Sequence, residues 1–221
     1  MTVTCITWEI IVVFTDRTQA GKLLASKCTS YAATNVCVVG LARGGVVVAH
    51  AIASKLALPL DVVVIKKIPA PGNEELALGA VAPEGIIQVD WRLTQRTGAD
   101  EAYIQMHRDR LTEEIKQKTL LYRKGKKPIS LFLKTVLLVD DGAATGATME
   151  AAIKWAKSKK PAKVVAVLPV APSDTVAKIA PEVDTLIVGE SVNHMQAVGE
   201  WYKNFSQVSD ENVIQLLNEK I

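Results

Sequence analysis

The sequence predicts a three-layer α/β/α fold on a mainly parallel, Rossmann-like central sheet, and three observations carry that expectation. Val36–Leu41, Asp61–Ile65, Thr135–Val139 and Val164–Val170 are near-continuous runs rich in Val, Ile and Leu, not alternating ones. Strands buried on both faces read this way. Longer stretches of helical character separate most of them, as crossover helices over a parallel sheet would. The 221 residues are 49% hydrophobic and 22% charged, with 13 Gly and 9 Pro, a folded globular composition. A chain of this length buries roughly 70% of its unfolded surface, so it holds a core without staples.

The elements follow in order. Val36–Leu41 is a strand, Ala42-Arg43-Gly44-Gly45 a turn, and an apolar helix runs on through Ala57. Asp61–Ile65 is the second strand. Pro69, Pro71, Gly72 and Asn73 mark a loop. Ala77–Val81 is a further extended run, with Gly85–Val89 as its hairpin partner. Asp100–Arg123 is rich in strong helix formers, with Ile104, Leu111 and Ile115 at helical spacing. Thr135–Val139 is a buried strand, followed by a helix from about Thr145 to Ser158. Val164–Val170 and Thr185–Val188 are the last strands, and Ser209-Asp210-Glu211 starts a helix leading into Val213–Leu217. Neither an internal repeat nor a linker divides the chain, so residues 1–221 are expected to form a single domain.

Composition excludes several functions. Lys plus Arg is 26 and Asp plus Glu 23, a net charge of +3, without the concentrated basic patch of a nucleic-acid binder. The basic run Arg123-Lys124-Gly125-Lys126-Lys127 reads as a solvated helix end and loop. Cys5, Cys28 and Cys37 form no C-x-x-C pair, and no two His have zinc-ligand spacing. Reduced thiols suit a cytoplasmic protein, and Cys37 lies in an apolar run as a small core residue. No apolar stretch reaches the 18 or so residues of a membrane span. Ile10–Phe14 is too short for a signal-peptide core.

The chemistry is concentrated where strands end. In open parallel sheets, ligands gather at the carboxyl ends of the strands. Val136-Leu137-Leu138-Val139 runs into Asp140-Asp141 and then into the small-residue turn Gly142-Ala143-Ala144-Thr145-Gly146-Ala147-Thr148. Backbone N–H groups of such a turn can approach an anion. A following helix N-terminus adds its dipole, and the Thr145 and Thr148 hydroxyls add donors. This is a phosphate cradle. The adjacent carboxylates would repel a bare phosphate but suit hydroxyl donors and magnesium, and a sugar phosphate meets both demands. A P-loop would need Lys after Gly146, where Ala147 stands. A dinucleotide fingerprint would need G-x-G-x-x-G, where residues 40–45 read G-L-A-R-G-G.

This string resembles the 5-phosphoribosyl 1-pyrophosphate (PRPP) motif of type I phosphoribosyltransferases. Phe14-x-Asp16-Arg17-x-x-Ala20-Gly21, Leu41-Ala42-Arg43-Gly44-Gly45, Ala70-Pro71-Gly72-Asn73-x-Glu75 and Ala197-Val198-Gly199-x-Trp201-Tyr202-x-x-Phe205-x-Gln207-Val208 resemble a bacterial and archaeal branch of that family with no assigned acceptor. Residues 1–12 are an extension ahead of that pattern. The resemblance implies that Asp140 and Asp141 hold the ribose hydroxyls, directly or through Mg2+, and that the Gly142–Thr148 turn binds the 5-phosphate. It implies that Ala42, Arg43, Gly44 and Gly45 bind pyrophosphate, in a loop where family members often carry a cis peptide. Lys66 and Lys67 match a cationic pair that, with Arg43, would neutralise departing pyrophosphate. Pro69–Glu75 would be a lid that excludes water.

The implied reaction is phosphoribosyl transfer from PRPP to a nitrogenous acceptor, a step of nucleotide metabolism. Ala144 stands where enzymes for 6-oxopurines carry Asp, which disfavours that acceptor class. A hood from the terminal segments would supply the acceptor pocket, with Asn193, His194, Trp201, Tyr202 and Phe205 as candidates. The aromatic stripe reads first as core packing and second as a stacking surface for a base. His194 is a candidate acid or base, while His50 and His107 read as structural or surface residues. The implied partners are small molecules, not nucleic acid or a membrane, together with a second copy in a homodimer. The competing function is a PRPP- or nucleotide-sensing regulator of the same fold. It could dispense with the lid and the pyrophosphate cations, which this chain retains.

Overall fold

The computed structural model describes residues 13–33 and 35–221. Cys5, the extension over residues 1–12 and most of the Ile10–Phe14 run lie outside the described residues. Helix α1 (Arg17–Lys27) is followed by β1 (Val36–Ala42), α2 (Gly44–Leu56) and β2 (Leu60–Val64). Strands β3 (Lys66–Ala70), β4 (Asn73–Ala82) and β5 (Ile86–Val89) then lead to α3 (Trp91–Arg96) and α4 (Glu101–Arg123). The chain continues through β6 (Thr135–Val139), α5 (Ala147–Ser158), β7 (Lys163–Pro172), α6 (Ser173–Ile179), β8 (Thr185–Val192) and α7 (Asp210–Asn218).

The main sheet is parallel, in the order β2-β1-β6-β7-β8. Strand alternation divides its side chains between two cores. Val36, Val38, Leu137, Val139, Val165 and Val167 pack under α1 and α2 with Leu24, Val48 and Ile52. Cys37, Val39, Leu41, Leu138, Ala166 and Leu168 pack under α5 with Met149 and Ile153. Leu137 and Leu138 are both fully buried on opposite faces, each burial stabilising by about 1.5–3 kcal/mol. The continuous apolar runs exist because both faces are covered.

This arrangement places the site. Strands β1 and β6 are neighbours, yet α2 follows the first on one face and α5 follows the second on the other. The chain reverses its direction across the sheet between them, so the two strand-to-helix turns diverge and leave a crevice.

A second, antiparallel sheet, β3-β4-β5, packs with α4 and α7 around Val62, Ile68, Leu78, Val81 and Val213. The predicted apolar stripe Ile104, Leu111 and Ile115 faces this core, joined by Tyr122. Asp100 caps α4 by accepting from the Tyr103 N–H at 2.8 Å.

Several expectations are corrected at this scale. Pro69–Glu75 is mostly strand: Pro69 lies inside β3, which ends at Ala70, Asn73 begins β4, and only Pro71-Gly72 turns between them. Proline is tolerated there because β3 is an edge strand with a register irregularity at Ile68/Pro69. Helix α5 starts at Ala147 instead of Thr145, because Gly146 (φ +84) turns the chain first. Strand β8 runs on to Val192, past the expected Val188. In the basic run, Arg123 is half-buried and bonds to the Asp61 carboxylate at 3.1 and 3.2 Å, so only its neighbours are solvated. No helix among the described residues is long and apolar enough to cross a membrane.

Candidate active site

Strand β6 delivers Asp140 and Asp141 to the crevice. Its residues Val136–Val139 are fully buried, so the two acids emerge from the core on a rigid element. The Asp141 N–H donates to Asp140 Oδ1 at 2.9 Å. Arg17 Nε donates to Asp141 Oδ2 at 2.6 Å, and the Tyr202 hydroxyl donates to the Asp141 carbonyl at 2.6 Å. Burial, and then the charge of Asp141, raise the Asp140 pKa well above its ordinary value, while Lys67 acts in the opposite sense. Burial likewise raises the Tyr202 phenol, which keeps it a donor.

The small-residue turn is shaped by its glycines and one buried hydroxyl. Gly142 (φ +151) and Gly146 (φ +84) take backbone conformations that side chains resist. Thr175, at the start of α6 and 1% exposed, donates its hydroxyl to the Ala144 carbonyl at 2.7 Å. The Ala143 N–H donates to the Val170 carbonyl at 3.1 Å. These ties hold the turn in front of α5, whose first N–H groups lack intrahelical partners. Thr145 is exposed and Thr148 half-buried.

The turn after β1 meets the acids from the other side. Its Ala42–Arg43 peptide bond is cis. A Cβ on Gly44 would lie 1.8 Å from Asp141 Oδ2, and one on Gly45 would lie 2.7 Å from the Val139 carbonyl oxygen and 2.8 Å from Asp140 Cα. Only glycine permits this approach. The structure therefore brings together Ala42–Gly45, Asp140, Asp141 and the Gly142–Thr148 turn, which lie about a hundred residues apart in sequence.

The cations divide. Arg43 Nη1 lies 4.0 Å from Asp210 Oδ1 at the start of α7. Asp210 also accepts from Lys118 Nζ at 2.6 Å and from the Tyr122 hydroxyl at 2.7 Å, bonds that lower its pKa. Lys66 pairs with Glu114 on α4 at 3.3 Å. Lys67, its neighbour on an extended strand, projects to the other side, is exposed, and acts on Asp140. Of the pair, Lys67 is the one whose charge acts on Asp140.

Sequence reasoning gave no part in the site to Arg17, Thr175 or Asp210, nor to Tyr202 as an Asp141 partner; it read Asp210 only as part of a helix start. Asp16 caps α1 through Gln19, a D-x-x-Q pattern legible as a helix start, but nothing local links Arg17 to Asp141. The aromatic stripe splits as well. Tyr202 is buried against Phe14, while Phe205 is 36% exposed and lies under the Arg17 guanidinium at 3.7 Å. Trp201 Nε1 is buried and finds no acceptor among the described residues. Asn193 and His194 are exposed. His50 pairs with Glu219 at 3.0 Å, and His107 packs on Tyr103.

The donor set fits magnesium in one way. Among the described residues no group of three or more His, Cys, Asp or Glu could hold a metal ion. Two carboxylates suit a Mg2+ that takes its remaining ligands from water and substrate phosphates.

Comparison with known proteins agrees with this geometry. The sequence profile of the phosphoribosyl transferase domain matches residues 15–199. Two strains of Mycobacterium tuberculosis carry a protein named "Putative phosphoribosyl transferase", 36% identical over 205 residues and 93% of this chain. The chain spans 46% of the length of those relatives. The crystal structure of TT1426 from Thermus thermophilus superposes with a TM-score of 0.77 at 36% identity, covering 93% of this chain and 97% of that one. A phosphoribosyl transferase profile over most of the chain, on a type I phosphoribosyltransferase fold, shows that the chain belongs to the phosphoribosyl transferase domain family.

Proposed function

We propose that this chain transfers the 5-phosphoribosyl group from PRPP to a nitrogenous acceptor and releases pyrophosphate. The observation that carries this is the approach of Gly44 and Gly45 to Asp140 and Asp141. It puts Ala42–Gly45, the two acids and the turn that follows them side by side, so that in this reading one PRPP molecule touches all three. In this reading the Gly142–Thr148 N–H groups and hydroxyls take the 5-phosphate. Asp140 and Asp141 accept hydrogen bonds from the ribose 2- and 3-hydroxyls. Ala42–Gly45, with Arg43 and Lys67, takes the pyrophosphate.

The acceptor nitrogen bonds to the anomeric carbon as its bond to the pyrophosphate oxygen breaks. The electron pair leaves with pyrophosphate, and the acceptor nitrogen loses its proton. Positive charge develops on the ribose and negative charge on the leaving group. Catalysis is therefore positioning and electrostatics. Arg43 moves from Asp210 to the pyrophosphate, and Lys67 reaches it from the hairpin. If magnesium enters with PRPP, it would supply further positive charge to the pyrophosphate. The Pro71-Gly72 hairpin tip closes over the site. Ala144, aliphatic and with its carbonyl held by Thr175, offers no carboxylate to a 6-oxopurine.

Calorimetric titration of PRPP with and without magnesium tests the donor half. Saturable binding supports the reading, and pyrophosphate release with a panel of nitrogen bases then identifies the acceptor. Absence of PRPP binding in both buffers would overturn it.

A further inference from the structure

Asp210, the first residue of α7, gathers cations from two different elements. Its Oδ2 accepts from Lys118 Nζ on α4 at 2.6 Å, and its Oδ1 accepts from the Tyr122 hydroxyl at 2.7 Å. Arg43 Nη1, from the turn after β1, stands 4.0 Å from the same Oδ1. Two positive charges thus face one negative charge, a surplus that attracts anions. The side chains of Arg43 and Lys118 are 38% and 33% exposed, so a ligand can reach both. Asp210 is the sole ion-pair partner of Arg43 among the described residues. These contacts are not what docks α7. Val213 is fully buried in the core that contains Ile115 and Tyr122, and Ser209 caps the helix by accepting from the Asn212 N–H at 3.2 Å. Apolar burial and the cap account for the place of the helix, and the Arg43 contact calls for another reason.

We propose that Lys118 is a further pyrophosphate-binding residue, and that Asp210 is an internal anion that holds Lys118 and Arg43 until pyrophosphate takes them over. The inference rests on the reading of Ala42–Gly45 as the pyrophosphate loop. In the free protein one carboxylate keeps both cations beside the loop and partly neutralised. A pyrophosphate group carries more negative charge and more acceptor oxygens than a carboxylate, so it wins the competition for both cations. Asp210 stays behind on the hydroxyl of Tyr122, a residue 1% exposed, which needs its acceptor with or without ligand. The exchange leaves no buried donor unpaired and requires no movement of α7. After transfer, Asp210 reclaims the two cations and so favours release of the product.

Calorimetric titration of PRPP in magnesium buffer is run on the parent, Asp210→Asn and Lys118→Met, with ribose 5-phosphate as the ligand that lacks pyrophosphate. Asp210→Asn is expected to bind PRPP about threefold more tightly, the worth of the partly exposed ion pairs it removes. Lys118→Met is expected to bind PRPP about tenfold more weakly, the loss of one charge-assisted hydrogen bond, with Lys118→Arg in between. Ribose 5-phosphate should show neither change. A merely structural anchor predicts a lower Tm in both variants without any gain in PRPP affinity. Parental or weaker PRPP binding by Asp210→Asn would overturn the proposal, as would parental binding by Lys118→Met. Equal changes for ribose 5-phosphate would do the same, because the effect would then lie outside the pyrophosphate subsite. Should Asp210→Asn fail to fold, Lys118→Met and Lys118→Arg decide. Absence of PRPP binding by the parent removes the pyrophosphate-loop reading itself, and the proposal with it.

Discussion

Substituting Gly44 by Ala should disable the site while sparing the fold. Gly44 opens α2, where alanine is the better helix former, so the steric consequence stands alone. The added Cβ would sit 1.8 Å from Asp141 Oδ2, whereas ordinary contact begins at 3.4 Å. Either the Asp141 carboxylate or the turn must retreat by about 1.6 Å. The nearest obstacles are the carboxylate of Asp141 and the Nε of Arg17, both side-chain ends, so movement is feasible. Breaking the Arg17–Asp141 hydrogen bond costs about 2 kcal/mol, equivalent to roughly 4–8 °C in Tm for a chain of this size. A misplacement of about 1 Å in a catalytic constellation costs about a hundredfold in rate. Thermal melting and PRPP titration are the assays. Parental Tm together with parental PRPP affinity would refute the packing of the turn against Asp141. Gly45→Ala is the contrast: its Cβ meets backbone atoms of Val139 and Asp140, which cannot swing aside, and loss of folding is expected.

Asp140→Asn and Asp141→Asn should each weaken PRPP binding by about tenfold or more with unchanged circular dichroism; equal affinity would refute the diol assignment. Lys67→Ala, at an exposed position, should lower the rate of pyrophosphate release by about a hundredfold at unchanged Tm, and either parental turnover or unfolding counts against its role. Lys118 and Tyr122 hold the Asp210 carboxyl below its ordinary 3.8, so its contribution to stability is present above that value and disappears as pH falls through the lower folded value. The Tm difference between the parent and Asp210→Asn should therefore begin to shrink below about pH 4 and continue to fall in stronger acid; a difference that does not shrink as the pH is lowered further would exclude this linkage.

What the sequence disclosed follows from the range of the forces involved. The strands were legible because burial on both faces demands Val, Ile and Leu at successive positions, as at Val136–Val139. The turn at Gly142–Thr148 was legible because the whole string is local. Helix α3 has six residues and α6 seven, too few for a period to show, and Pro69 looked like a breaker because strand position decides whether proline is tolerated. Arg17 was invisible for a different reason: its partners Asp141 and Ser206 lie 124 and 189 residues away. Lys66 and Lys67 look alike in sequence, and only the strand's alternation and the presence of Glu114 separate them.

The contacts around Phe14 have a kinetic meaning. Phe14 and Thr15 exchange backbone hydrogen bonds with Trp201, Lys203 and Asn204, closing a loop that contains the entire parallel sheet. Closure over such a separation is slow and gains nothing until the intervening chain is folded. The sheet can therefore form before Arg17 reaches Asp141 or Tyr202 reaches its carbonyl. The same seam is the natural first step of sub-global opening, because its few bonds can part without disturbing the strands. Amides at Phe14 and Lys203 should exchange with solvent well before those of β1 and β6, so the protein can lose its site for moments at a time without losing its fold.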